Sequence, residues 1–499
     1  MKALFGFDAA AWEIAPARRA IETLASLLET PHRVAAPGDA ARDDEALIHV
    51  GASTNAPAGA AAVIVVEGWP HWNAGTLERV SVAGEPLPCP PGTRGSPATP
   101  PGDTGAARFP AEWLRAAAFA LAREEEVQDR RRDQWECYSG AWTRLAGIGL
   151  LERPFVNLMA RMLERSLESH AAGRGATLER VARWPGGARF AVALTHDVDD
   201  VTRFSLPMAL RLLRQARSAN SYAFRAGLAG AARALARSPG AIDPYWAFER
   251  WMGEEERCGF RSTFYICSPA PARRHEYDAL YVLDDTIGYE GRRISVAELL
   301  REMRRRGHEV GLHGSYLSHT SAGELARQRR QIAAAAGGEV TGLRQHFLRF
   351  EIGDTWRAQA AAGFAYDATL GFNEALGFRA GIAAPYRPWD SATGVAYGPW
   401  QLPLTAMDGT LFRTLKLGTH AAIDAVRRHL DAVEDAGGLA VLLWHPNAAD
   451  EHAFPGWWAA YLGVLDDLAR RSAWVAPAGE ITRWWAERER GLVATRGSR

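Results

Sequence analysis

The chain has 499 residues, which at roughly 150 residues per domain predicts two to four domains, unless a barrel takes half of the chain. Its apolar share of 47% and its charged share of 23% are typical of a soluble globular protein. The 58 basic and 58 acidic residues give a formal net charge of zero. This balance argues against a general nucleic-acid binder, which needs a basic excess, so we expect no nucleic-acid partner.

Cysteine spacing and the N-terminal sequence both favour a cytoplasmic protein. The four cysteines show no C-x-x-C spacing, which argues against a zinc ribbon or a redox pair. Asp8 and Glu13 interrupt the stretch that would be apolar in a signal peptide, so we expect no signal peptide. The longest apolar run, Ala58–Val66, is far shorter than the roughly 20 residues of a spanning helix, and we therefore predict no membrane span.

Residues 1–83 alternate helical and strand patterns. Apolar residues recur at helical spacing over Ala17–Leu28, and the apolar runs Ala46–Val50 and Ala62–Val66 are typical of buried strands. These patterns predict a small α/β domain at the N-terminus.

A proline- and glycine-rich segment follows at residues 84–105. Its seven prolines and five glycines predict an exposed linker. Residues 106–185 then predict a helical connecting region packed on the next domain, with helices over Pro110–Arg132 and Pro154–Ser169. Each helix has a proline at its start, where the missing N–H costs no intrahelical hydrogen bond.

From about Gly187 onwards, short apolar strands alternate with helices such as Val296–Arg306 and Ser321–Ala336. Repeated strand–helix units predict parallel pairing, and six or seven of them over some 300 residues favour a closed (β/α) barrel over residues 186–490. The predicted strands are Arg189–Thr195, Ser262–Cys267, Glu309–His313, Thr341–Phe347, Gln401–Thr405, Leu439–Trp444 and Trp474–Ala476.

Polar side chains collect at the carboxyl ends of four of these strands, where the catalytic residues of barrels usually lie. They are Asp197 and Asp199, His313, Arg344 and His346, and His445. Taken singly, each has a plainer explanation, because Asp is common in turns and a buried histidine can simply be hydrogen-bonded in the core. Because four strands end in such polar residues, a catalytic site is favoured over four separate structural roles.

Together these residues match what metal-assisted hydrolysis requires. One carboxylate and two imidazoles can hold a divalent ion, which brings their ligand atoms within about 3–4 Å of each other. A second carboxylate can take a proton from water, and a further histidine can protonate the leaving group.

The motifs resemble those of the polysaccharide deacetylases of carbohydrate esterase family 4, the NodB-homology domain. Thr195-His196-Asp197-Val198-Asp199 stands where the family has T-F-D-D-G, and the sequence from Gly307 to His313 is similar to G-H-E-I-G-N-H. Arg344-Gln345-His346-Phe347 stands where the family has R-P-P-Y, and Leu442-Leu443-Trp444-His445 resembles its final L-x-H. Within the family the chain is most similar to a subgroup with an L-T-H-D-V-D motif, an uncharacterised N-terminal domain and links to surface polysaccharides.

This resemblance implies a distorted barrel, a divalent metal ion such as zinc, and removal of acetyl groups from sugars. Carried over by position, Asp197 is the catalytic base, Asp199 is a metal ligand, and His445 is the acid. Arg344 supports Asp197. Because Val198 is inserted between the two aspartates, the reverse assignment, with Asp199 as base and Asp197 as metal ligand, also remains open.

One departure affects the metal site. The family has histidines at i and i+4 of its second motif, but here His313 is followed at i+4 by Leu317, which cannot bind metal. His346, beside Arg344, is the preferred replacement as ligand, and His319 is the alternative. Loss of the metal site is the third possibility.

The sequence therefore predicts a metal-dependent hydrolase that removes acetyl groups from an amino-sugar-containing glycan or its precursor, with a carbohydrate as its partner. Two alternatives remain at this point. One is a non-catalytic glycan-binding protein on a deacetylase barrel, and the other is a hydrolase of a different carbon–nitrogen amide bond.

Overall fold

The structure is a computed structural model that describes residues 1–66, 69–95, 106–215, 243–267 and 272–493. Within these ranges the chain forms two parallel β-sheets, two antiparallel hairpins and the helices that cover them. The α/β architecture predicted from the sequence is confirmed, with a curled parallel sheet in the second half of the chain.

The first sheet is built from five parallel strands in the order β2-β1-β3-β4-β7. These strands are β1 (Lys2–Phe7), β2 (His32–Ala35), β3 (Glu45–Gly51), β4 (Ala62–Val65) and β7 (Ala107–Phe109). The helices Ala15–Ser26, Ala111–Leu121 and Phe155–Gly173 bury their apolar faces on one another and against this sheet. The parallel order explains the near-continuous apolar strands, because both faces are covered.

A two-stranded hairpin lies partly inside the segment expected to be a linker. Strand β5 (Glu78–Val82) pairs antiparallel with β6 (Glu85–Cys89), which belongs to the range 84–105. Pro86 and Pro88 occupy alternate positions of β6, at which the backbone nitrogen points away from the partner strand. The absence of an N–H group at these positions therefore costs no hydrogen bond of the hairpin. Residues 96–105 of the expected linker lie outside the described residues.

The second sheet is parallel throughout and follows the order β15-β14-β13-β12-β9-β8-β17-β16, with β18 pairing with β8. Its strands are β8 (Phe190–Val198), β9 (Thr263–Cys267), β12 (Glu309–Gly314), β13 (Gly342–Gln345), β14 (Tyr366–Asp367), β15 (Trp400–Gln401), β16 (Ala406–Met407), β17 (Leu439–Leu443) and β18 (Ala473–Val475). A small hairpin, β10 (Thr286–Tyr289) with β11 (Arg292–Ser295), precedes the helix that leads to β12.

The barrel is incomplete as a hydrogen-bonded cylinder, because the path ends at β15 on one side and at β16 on the other. These two edge strands are joined by residues 402–405. The Leu402 N–H donates to the Asp367 carbonyl of β14, and the Thr405 N–H donates to the Val441 carbonyl of β17. A short connecting segment thus bridges the gap where the expected closed barrel would have had a ladder.

Helices flank the barrel strands in the pattern that the sequence predicts. They are Leu206–Gln215, Phe248–Arg257, Val296–Arg305, Ala322–Ala336, Asp354–Ala361, Thr419–Ala436, Trp457–Leu468 and Ala478–Val493. Shorter helices before the barrel are Ala9–Trp12, Glu124–Gln128 and Arg144–Gly147. No helix in the described ranges has the length and apolarity needed to cross a bilayer.

Two predicted strands are shorter than expected. Of the strand predicted over Gln401–Thr405, only Gln401 lies in a strand, Trp400–Gln401. The fourth, predicted over 341–347, ends at Gln345 because Phe347 and Leu348 adopt left-handed backbone angles, with φ of 60° and 54°. Such angles are unusual for large side chains and cluster at functional sites. They turn the chain sharply just after His346.

The region before the barrel packs on it through a shared apolar core and a buried ion-pair cluster. Arg123 Nη2 and Arg379 Nε donate to Glu126 Oε1 over 2.8 and 2.9 Å, and all three side chains are buried. Burial alone would raise the pKa of Glu126, but Arg379 and Arg123 lower it to about 2. Asn157 adds two hydrogen bonds to the Ala383 backbone.

We expect Glu126→Gln to lower the free energy of unfolding by about 3–5 kcal/mol, because Arg379 loses its counter-charge and Arg123 keeps only the Glu125 carboxylate, 3.6 Å away. Chemical denaturation at neutral pH measures this change. Glu22→Gln is the matched control, since Glu22 pairs with Arg19 on the surface, and it should cost under about 1 kcal/mol. Equal small effects in both variants would contradict the role of the cluster.

Candidate active site

A cavity of about 260 Å³ opens at the carboxyl ends of the barrel strands. Five residues selected from the sequence line it together, namely Asp197, Asp199, His313, His346 and His445. Arg344 lies beneath them and is fully buried. The parallel strands explain this convergence, because their carboxyl ends meet at the same edge of the sheet.

Asp197 is held by Arg344. The Nη1 atom of Arg344 donates to Asp197 Oδ1 and to Thr195 Oγ1, each over 2.9 Å, and its Nε atom donates to the Ala368 carbonyl over 2.9 Å. The guanidinium also lies 4.7 Å over the ring of Tyr265. The ion pair thus fixes the carboxylate of Asp197 at the floor of the cavity.

The two histidines beside the aspartates have their tautomers set by backbone carbonyls. His313 Nδ1 lies 2.9 Å from the Arg344 carbonyl, and His346 Nε2 lies 2.7 Å from the Tyr277 carbonyl. Because a carbonyl only accepts, each of these nitrogens must carry the proton. In the neutral rings, His313 Nε2 and His346 Nδ1 then present lone pairs, and these two atoms are 2.9 Å apart.

A carboxylate oxygen of Asp199 lies beside these two imidazole nitrogens. Its Oδ1 atom lies 3.3 Å from His313 Nε2 and 3.4 Å from His346 Nδ1. Burial alone would raise the pKa of Asp199, but the neighbouring histidines, His346 foremost, hold it well below its ordinary value. Burial likewise lowers the pKa of His346, and the charge of Asp199 outweighs this effect and raises it.

Cys267 belongs to the same cluster, although the sequence analysis considered cysteines only for their spacing. Its Sγ atom lies 3.9 Å from Asp199 Oδ1. Ligand atoms of Asp199, Cys267, His313 and His346 all lie within 4.8 Å of one another. Burial, together with the nearby carboxylates, raises the pKa of the Cys267 thiol well above its ordinary value. The signal that could have found Cys267 is its place at the end of a buried strand.

His445 is oriented by an aspartate that the sequence analysis missed. Asp408 Oδ1 accepts a hydrogen bond from His445 Nδ1 over 2.7 Å, and Asp408 Oδ2 accepts from the His445 backbone N–H over 2.8 Å. Burial would lower the pKa of His445, but Asp408 raises it to about 9. His445 Nε2 is left 3.6 Å from Asp199 Oδ2, on the cavity side.

The alternative ligand His319 lies outside the cluster. It is buried, and its Nδ1 atom has no hydrogen-bond partner in the described part of the chain. Leu317 lines a neighbouring cavity together with Tyr277 and Tyr316. The loop after His313 therefore does not bring His319 to the aspartates, whereas His346, which follows the next strand, lies in the cluster.

The cavity walls come from segments with no strand pattern. Trp135 reaches the cavity from the region before the barrel, and its ring centroid lies 6.5 Å from that of Phe347. Glu374 and Arg413 supply charges on the wall. Sequence reasoning missed these residues because their position depends on long-range packing.

The donor set fits a divalent cation. Arg344 pairs with Asp197, and Asp408 pairs with His445. The Asp199 carboxylate is left beside the two imidazole nitrogens that face each other. Nitrogen and carboxylate ligands in this number suit zinc and similar ions.

Comparison with known proteins gives backbone similarities to solved structures. A protein from Mycobacterium smegmatis that is described as a polysaccharide deacetylase is 22% identical, with a TM-score of 0.41, over 61% of this chain and 93% of that chain. Puue Allantoinase is 15% identical, with a TM-score of 0.41, over 61% and 93%. A family 4 carbohydrate esterase from Streptomyces lividans is 13% identical, with a TM-score of 0.29, over 58% and 92%. No family model and no curated protein matches the chain.

We expect His346→Ala to abolish stoichiometric zinc binding, because it removes one of the two converging lone pairs. His319→Ala should keep the metal, since His319 lies outside the cluster. Elemental analysis after zinc loading and desalting measures both. Zinc retained by the first variant and lost by the second would reverse the assignment of the ligand.

Proposed function

We propose that the protein is a metal-dependent hydrolase that removes acetyl groups from an amino-sugar-containing glycan or its precursor. The observation that carries this proposal is the meeting of two imidazole lone pairs and the Asp199 carboxylate beside an arginine-held aspartate and an aspartate-held histidine. The order of the motifs along the sequence, which resembles that of the polysaccharide deacetylases, supports the substrate class.

Asp199, His313 and His346 would hold the ion. When bound, it would act as a Lewis acid on an acetyl carbonyl and make water more acidic. The backbone carbonyls of Arg344 and Tyr277 keep both rings in the tautomer that ligation needs.

Asp197 is the general base in this proposal. Its Oδ1 atom is held by Arg344, while its Oδ2 atom lies 3.8 Å from His313 Nε2, at the edge of the ligand cluster. Asp199 is closer to both imidazoles. These distances favour Asp199 as ligand and Asp197 as base over the exchanged roles. Asp197 would accept a proton from the attacking water.

His445 is the general acid. The Asp408 carboxylate keeps its Nδ1 proton in place and raises the pKa of the ring to about 9, although burial opposes this. The ring is therefore protonated near neutral pH and can donate from Nε2, which faces the cavity. Donation to the departing amine nitrogen avoids the expulsion of an amide anion.

The aromatic wall supports a sugar substrate. Trp135 and Phe347 line the cavity, and the faces of aromatic rings pack well against the apolar side of a pyranose. The volume of about 260 Å³ is below the range of about 300–1,000 Å³ for sites that enclose drug-sized ligands. The cavity would therefore bury a single sugar unit and leave the rest of a glycan outside.

His445→Ala should bind zinc normally and lose about 10²–10⁴-fold in turnover number on an acetylated amino sugar, because the amine leaves unprotonated. The loss should be much smaller on an activated ester, whose leaving group needs no proton. Steady-state kinetics on the two substrates measure the difference. Equal losses on both would make His445 a structural residue.

A non-catalytic glycan-binding protein would behave differently. It would bind an acetylated oligosaccharide without releasing acetate, even after zinc loading. Acetate release by the zinc-loaded wild-type chain is therefore the direct test of the proposed function.

Trp135→Ala should raise KM for the sugar substrate by roughly 2- to 10-fold, as expected for loss of about 0.5–1.5 kcal/mol of ring packing, with little change in kcat. Trp135→Phe keeps a ring face and should restore most of the affinity. A fall in kcat at unchanged KM in the alanine variant would place Trp135 outside the substrate site.

A further inference from the structure

We propose that Cys267 is a fourth ligand of the divalent ion, so that the site is an Asp–Cys–His–His set selective for thiophilic metals. This inference rests on the proposed function only in so far as that function places an ion among Asp199, His313 and His346. It concerns which metal the site takes, and it can be tested without any substrate.

Strand register brings Cys267 to the ligands. Strand β9 lies between β8 and β12, and Cys267 is opposite His313 in the β9–β12 ladder. On the other side of β9, Val198 is opposite Ile266 in the β8–β9 ladder. The next residues of the two strands, Asp199 and Cys267, therefore lie side by side. Directly opposed residues of neighbouring strands point to the same face of a sheet. Asp199, Cys267 and His313 therefore form one row across three adjacent strands.

Distances within the row fit shared ligation. The Sγ atom lies 3.9 Å from Asp199 Oδ1, and it lies within 4.8 Å of the ligand nitrogens of His313 and His346. Cys267 is 4% exposed, so its sulfur is directed into the protein rather than to bulk water. Two ligands at about 2.0–2.3 Å from a tetrahedral ion are separated by roughly 3–4 Å, and a small shift of the side chains would close the remaining gap.

A tyrosine ties the two strand ends together. The hydroxyl of Tyr281 accepts a hydrogen bond from the Cys267 backbone N–H over 3.0 Å and donates to the Val198 carbonyl over 2.8 Å. Tyr281 is buried. The bridge fixes the backbone on either side of the row and holds Cys267 beside Asp199.

The other cysteines lie in different surroundings. The Cys137 Sγ donates to the carbonyls of Trp135 and Phe347, over 3.5 and 3.2 Å. Cys89 is buried in the apolar core of the N-terminal half, and Cys258 lies half-buried at the end of a helix. Cys267 differs from all three because its sulfur faces a carboxylate and two imidazoles.

Ligation by sulfur has a chemical consequence. When the metal–sulfur bond forms, the thiol proton passes to solvent and the thiolate becomes the ligand. Thiolate is a soft ligand that favours zinc and disfavours manganese and magnesium, which prefer oxygen. Asp199, Cys267, His313 and His346 would then hold the ion together, and zinc can take a further ligand besides four protein ligands.

X-ray absorption at the zinc edge of the zinc-loaded full chain tests the proposal directly. We expect one sulfur neighbour at about 2.3 Å besides nitrogen and oxygen neighbours at about 2.0–2.2 Å. Cys267→Ser should lose the sulfur neighbour, whereas Cys89→Ser and Cys258→Ser should keep it. A wild-type spectrum with zinc bound through nitrogen and oxygen alone would overturn the inference even if Cys267→Ser failed to fold.

Competition between metals gives a second readout. Loss of an outer partner of a metal ligand costs about 10–100-fold in affinity, so loss of a direct ligand should weaken zinc binding by at least about 100-fold. Manganese binding should change little, because thiolate contributes little to it. An unchanged zinc-to-manganese preference in Cys267→Ser would overturn the inference and leave the deacetylase proposal intact. A wild-type chain that binds no zinc would overturn both.

Discussion

The parallel pairing of β8 with β9 and β17 is the constraint on which the site depends. All residues of β8 from Phe190 to Val198 are buried, and the strand contacts neighbours on both sides along its length. Because these strands run in the same direction, their ends deliver Asp197 and Asp199, Cys267 and His445 to one place without any loop having to reach across. The positions of these side chains are therefore fixed by strand register, and the loops contribute the walls of the cavity.

Because so many ionisable groups lie together in the cavity, each buried charge needs an ion-pair or hydrogen-bond partner. Asp197 pairs with Arg344, and His445 pairs with Asp408. An unpaired buried charge would cost several kcal/mol, so these contacts stabilise the fold as well as orient the groups. A cation would supply the partner for the remaining group, which consists of the Asp199 carboxylate and the lone pairs of His313 and His346.

The sequence predicts the barrel strands and most of the convergent residues because long apolar runs and the polar residues that follow them are local signals. Asp408 was not predicted because the strand before it, Ala406–Met407, is two residues long and has no periodicity. Cys267 was overlooked for another reason, since ligation by a single cysteine depends on the register of neighbouring strands rather than on spacing along the chain. The left-handed turn at Phe347 likewise depends on packing, and bulky residues give no sign of it.

The wall formed by Trp135 has an evolutionary consequence. This residue precedes β8 in the chain, yet it borders the cavity at the end of the barrel. Tyr138 in the same segment belongs to an apolar core that runs from the first sheet into the barrel. Gene fusion or domain shuffling that exchanged the N-terminal half would also replace one side of this cavity. Selection for a new substrate can therefore act on residues far outside the strands that carry the chemistry, and the two halves of the chain are expected to diverge together.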